Sequence, residues 1–156
     1  MGATEIRKEL GDYSSIVCLK ALVVGLEDVM GVRGARANLV FAGRIRGNKI
    51  AQNLGLSNTD KPIEKWAAML RDAVGEHGTC LCKIEKVEYE DDVYRVFMSE
   101  TVCSAGEEQG SPRELTFTLG AVQGAIEEII GKKLVGEQTG SVLRGQDYDI
   151  VEFHER

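Results

Sequence analysis

Phe117-Thr118-Leu119-Gly120-Ala121-Val122-Gln123-Gly124-Ala125-Ile126-Glu127-Glu128-Ile129-Ile130-Gly131 is the stretch that decides the fold. Leu115, Leu119, Val122, Ile126 and Ile129 recur on one helical face, and Gly131 supplies a stop. The spacing predicts a helix over 114–131. Glu127 and Glu128 occupy adjacent helix positions that do not face each other, so they read as exposed acids opposite the apolar stripe. Gly120 and Gly124 lie four residues apart, one above the other. The same glycine spacing recurs upstream at Gly43 and Gly47, within a second helical pattern over 33–54 that carries Leu39, Ile50 and Leu54. Each glycine inside a helix costs about 1 kcal/mol relative to alanine. Two arrangements fit the four glycines: they make room for a bound molecule, or they let two helices touch and leave no void.

Working outward, residues 14–30 form another helical pattern, with Ile16, Leu19, Val23, Leu26 and Met30 on one face. Asp12 or Ser14 can cap its start, and Gly31 ends it. Its other side, with Val17, Cys18, Ala21, Leu22, Val24 and Gly25, is also apolar, interrupted only by Lys20, Glu27 and Asp28. A helix apolar all round must be buried on more than one side. That predicts a central helix or one covered by a second subunit. After a loop over 55–60, Pro62 opens a helix that Gly75 and Gly78 terminate, with Trp66 as a core anchor. Strands are expected at 79–88 and 93–102, joined by the solvated acids from Glu88 to Asp92. A polar loop follows over 103–113. Two further strands, 133–142 and 147–154, turn at Arg144-Gly145-Gln146. The order α-α-α-β-β-α-β-β predicts an α+β fold, with an antiparallel four-stranded sheet and a helical layer on one face. Residues 1–10 read as a tail and 11–156 as a single domain.

The 156 residues carry 19 Lys/Arg against 25 Asp/Glu, a net charge of −6 that disfavours nonspecific nucleic-acid binding. The basic residues concentrate in the second helix, at Arg33, Arg36, Arg44, Arg46 and Lys49. Neither glycine-rich phosphate-binding pattern accompanies them. No apolar run approaches the roughly 18 residues of a spanning helix, so membrane insertion is not expected. Met1 to Glu5 offers no signal-peptide pattern, which leads to the expectation of a cytoplasmic address. The four cysteines are too scattered for a disulfide scaffold. Cys80 and Cys82, both on the expected strand 79–88, should share one sheet face, and they read as shielded apolar thiols rather than zinc ligands. No nucleophile–base pair or cofactor fingerprint emerges, so a non-enzymatic role is expected.

The run Phe117 to Glu127, the sequence Gly131-Lys132-Lys133-Leu134-Val135-Gly136-Glu137 and the closing Gly145-Gln146-Asp147-Tyr148 together resemble the final half of the 4-vinyl reductase-type, or hydrocarbon-binding, domain. They also resemble the related small subunits of the TRAPP vesicle-tethering complex. Asn38-Leu39-Val40-Phe41-Ala42-Gly43-Arg44-Ile45-Arg46-Gly47 is similar to the second helix of that group. The resemblance spans about residues 11–153. It implies a frequently dimeric fold with an apolar channel between helices and sheet, holding a hydrocarbon, lipid or tetrapyrrole-like ligand. In the tethering subunits the same fold is a scaffold, which is the alternative function. Many ligand-binding members carry cysteines on the last two strands, where this chain has Thr139, Gly140, Ser141, Tyr148 and Asp149. Some tethering subunits carry an acylated cysteine where this chain has Ser57-Asn58-Thr59-Asp60. Neither a metal nor covalent acylation is therefore expected. Glycine spacing and resemblance together give an expected ligand-binding set of Leu39, Gly43, Gly47, Cys80, Cys82, Gly120 and Gly124, in a homodimer.

Overall fold

The protein is described by a computed structural model over Arg7, Glu9 and residues 15–156. The rest of the expected tail and the caps Asp12 and Ser14 lie outside the described residues. Helix α1 runs Ile16–Asn53 and is broken at Gly31, whose φ of 74° and ψ of 155° are not helical. The two N-terminal helices of the sequence reading are thus two arms of one kinked element. The kink brings Val23 of the first arm against Ala35 and Leu39 of the second, with Leu26 and Phe117 packed alongside.

Helix α2 spans Ile63–Val74 and follows Pro62. It buries Trp66, Ala67, Leu70 and Val74, one face at helical spacing. Arg71 ties it to the sheet by donating to the carbonyls of Ile84 (2.7 Å) and Glu85 (3.0 Å). Strands β1 (Lys83–Glu90) and β2 (Val93–Ser99) form a hairpin. Asp91 and Asp92 both have positive φ there, so the expected acidic tip tightens into a two-residue turn. Helix α3 spans Phe117–Ile130, and β3 (Leu134–Gly140) leads through a short 3-10 turn to β4 (Asp149–Glu155). The antiparallel sheet has the order β1-β2-β4-β3. Its inner face contributes Ile84, Val96, Met98, Val151 and Phe153 to the core. Its outer face aligns Glu88, Arg95, Glu152 and Glu137 in one cross-strand row. No helix among the described residues is long and apolar enough to cross a membrane.

The central helix is α3, not the first arm of α1. Residues 118–127 of α3 are all buried, whereas Val17, Leu22 and Val29 of the first arm stand exposed, Val29 by 86%. The reason lies in the kink. It turns only one side of the first arm toward the body, and the small side chains of α3 let it pass between α1 and the sheet.

Candidate functional site

The four glycines line up where α1 crosses α3. A Cβ on Gly43 would lie 2.8 Å from Ala121 N, and one on Gly47 would lie 2.7 Å from Ala125 N. From the other side, a Cβ on Gly120 or Gly124 would lie 2.8 Å from the backbone carbon of Val40 or Arg44. Each would be closer still to a carbonyl oxygen. The helices therefore touch backbone to backbone, and the crossing leaves no space for a ligand. Of the two arrangements open from sequence, the contact is the one present at these positions. Leu39 is buried beside the crossing, in the small cluster with Val23 and Ala35.

Cys80 and Cys82 do not sit on a strand or share a face. They lie in the turn between α2 and β1, and Cys80 is exposed with a φ of 51°. That left-handed residue breaks the alternation on which a shared face depends. Cys82 is buried, and burial, with Cys103 and Asp149 nearby, pushes its thiol up to about 12. The expected set thus divides among a helix crossing, a surface turn and the core.

Glu127 also departs from expectation, because it is buried rather than exposed. Arg44 donates to both of its oxygens, at 3.0 and 2.7 Å, while Leu134 N donates at 2.9 Å and Gln123 Nε2 at 3.3 Å. The acid turns inward because these donors surround it where α1, α3 and β3 meet.

A second buried polar group gathers on the first arm of α1. Lys20 Nζ donates to Cys103 O at 2.7 Å and pairs with Glu107 Oε1 at 2.7 Å. Arg113 Nε lies 3.2 Å from the same Glu107 oxygen, an ion pair without hydrogen-bond alignment. Arg113 Nη1 in turn pairs with Glu27, whose carboxylate also accepts from Thr116 Oγ1 at 3.4 Å. Cys103 Sγ closes the ring, 3.8 Å from Thr116 Oγ1 and 3.6 Å from Thr118 Oγ1. Burial holds the Glu27 carboxyl above the usual range, despite Arg113, Thr116 and Lys20. The hydrogen bond from Lys20 holds Glu107 below it. Behind the ring, Thr101 Oγ1 donates to the buried Asp149 at 2.7 Å.

Sequence reasoning missed this ring because Lys20 and Glu27 read as interruptions of an apolar surface. The signal was present: Ile16, Lys20, Val23 and Glu27 share one face at steps of three and four. Their partners lie in the polar loop after β2, which the ring orders. Among the described residues, no three His, Cys, Asp or Glu side chains cluster in a way that could hold a metal. Two open clefts, of about 460 and 200 Å³, are lined by polar and charged side chains such as Asp91 and His154, or Glu128 and Lys133.

No family model matches the sequence, and no curated protein matches it. Its architecture does recur in solved structures. The phenol-responsive sensory domain of the transcription activator PoxR, solved with phenol, superimposes with a TM-score of 0.69 at 14% identity, over 92% of this chain and 76% of that one. A trafficking protein particle complex subunit 3 from Naegleria fowleri, covalently bound to palmitic acid, gives 0.53 at 12% identity, over 91% and 97%. A vinyl-4-reductase family protein from Methanocaldococcus jannaschii gives 0.52 at 13% identity, over 99% of both chains. The chain has the fold shared by these three proteins, the fold that its sequence resemblance implied.

Proposed function

We propose that this chain is a non-enzymatic, cytoplasmic domain that binds a small apolar molecule of the hydrocarbon, lipid or tetrapyrrole-like kind. One observation carries the reading: two solved proteins with this architecture are described with small, largely apolar molecules, phenol in one and palmitic acid in the other. The close crossing at Gly43, Gly47, Gly120 and Gly124 moves the expected binding region away from those glycines and toward the rest of the helix–sheet layer. Phenol and palmitic acid are the natural first probes. A ligand that binds only the folded state raises its stability by RT ln(1 + [L]/Kd), about 2.7 kcal/mol at a hundredfold excess over Kd. Thermal melts should therefore shift upward by several degrees with at least one probe. An unchanged melt with both, up to their solubility limits, contradicts the reading for these chemistries.

A dimeric scaffold is the second reading, and the outer face of α1 favours it. Val17, Val29, Phe41 and Ile45, spread over both arms, are exposed by 72, 86, 62 and 59%, apolar side chains that a second copy would cover in part. Such an interface should bury at least about 1,000 Å². The two readings are compatible, since a dimer can also carry a ligand. Subunit number, measured on the native protein, decides the dimer.

A further inference from the structure

We propose that the first arm of α1, residues 16–30, is a hinged cover over the buried face of Cys103, Thr116 and Thr118, and that it swings about Gly31 to admit the small molecule. The second half of this statement rests on the ligand-binding reading; the hinge itself does not.

Three features carry it. Gly31 is the single non-helical residue inside a 38-residue helix, and nothing lies within 4 Å of where its Cβ would be. Positive φ at that position is natural for glycine and strained for other residues. The joint is therefore both permissive and free of packing. Second, polar contacts share the seating of the arm with a small apolar set, of which one side chain is fully buried. Its buried apolar side chain is Val23, with Leu26 beside it, in a cluster separate from the main core; Ile16 and Leu19 are partly buried against that core. The remaining attachments are the bonds of Lys20 and Glu27 to Cys103, Glu107, Arg113 and Thr116. Water can replace hydrogen bonds and ion pairs of that kind at small net cost once the arm lifts, whereas it cannot replace buried apolar contacts. Elements held in this way belong to the low-stability end of a fold, where local opening occurs.

Third, the covered face suits a guest. Cys103, Thr116 and Thr118 are fully buried, and Val102, Leu115 and Leu119 belong to the same core region. Hydroxyls and a thiol within an apolar wall match a compact molecule with an apolar body and one hydrogen-bonding end.

Native-state alkylation by N-ethylmaleimide, read peptide by peptide on the full chain, tests the hinge. Exposed Cys18 and Cys80 serve as fast internal controls, and buried Cys82 reports opening of the core. Lys20→Met removes the outer bonds of the arm. It should speed labelling of Cys103 about tenfold while leaving Cys82 unchanged. Glu107→Gln, which weakens the same attachments from the loop side, should do likewise and guards against a folding defect in the first variant. Equal acceleration of Cys103 and Cys82, or no acceleration of either in both variants, overturns the hinge. Phenol and palmitic acid are then added to the unmodified protein. Binding that slows Cys103 labelling supports the site beneath the arm. If neither probe binds while Cys103 still responds selectively, the ligand half falls and the hinge stands. If a probe raises the melting temperature while Cys103 and Cys82 respond together, the hinge falls and the ligand reading stands.

Discussion

Gly47→Leu is expected to leave the chain without a cooperative unfolding transition. Even a Cβ at this position would sit 2.7 Å from Ala125 N, a separation that side chains essentially never adopt against backbone. Ordinary overpacking of a core costs about 1–3 kcal/mol, because side chains can shift to absorb it. Here the obstruction is the backbone of α3, buried nearly all round, and the whole helix would have to move. The loss should therefore exceed that range and consume much of the roughly 5–15 kcal/mol that holds a domain together. Gly25→Ala provides the contrast. It lies on the open side of the first arm, with nothing within 4 Å, and should gain up to about 1 kcal/mol from helix propensity. Circular dichroism melts of the two variants check both expectations. A well-folded Gly47→Leu protein would mean that the helices do not cross at the glycines.

Glu127→Gln is expected to cost about 2 kcal/mol at neutral pH, since it removes charge-assisted hydrogen bonds from a buried carboxylate while the partly exposed Arg44 can be rehydrated. Arg44 loses its two-oxygen partner, and the amide cannot accept on both atoms. Burial alone would raise the carboxyl of Glu127, but the Leu134 N–H, Arg44 and Gln123 outweigh it and hold the group below its ordinary value of 4.5. A depressed folded value stabilises the protein above the unfolded pKa, and that stability is lost as pH falls through the folded value. Glu27 has the opposite sign. Its folded value is raised above 4.5 by burial, so its ionisation weakens the fold as pH rises through that window. Urea midpoints from neutral pH down to about pH 3 should fall less steeply in Glu127→Gln than in the unmodified chain. Glu27→Gln should fall more steeply, because it loses a term that favours folding under acid. Parallel midpoint curves for all three proteins would contradict the assignment.

Much of the architecture is legible in the sequence, because apolar spacing is a local signal. The stripes of α2 and α3, and the stops at Gly75 and Gly131, follow from residues a few positions apart. The glycine pairs are legible as pairs; that they meet each other is not, since residues 43 and 120 lie far apart in the chain. Glu127 reads as exposed for the same reason: its partner Arg44 is 83 positions upstream. Lys20 and Glu27 fall on a buried face, yet their meaning depends on Glu107 and Arg113, which a polar loop carries back to them. Cys80 and Cys82 fail for a local reason instead, a left-handed residue that no alternation pattern anticipates.

Native mass spectrometry of the purified protein bears most directly on the central claim, that this fold here houses a small apolar ligand in a dimer. The expected spectrum shows twice 17.1 kDa together with a non-covalent adduct that is released on denaturation and partitions into organic solvent. A bare 17.1 kDa chain, still bare after incubation with phenol and with palmitic acid, would contradict it.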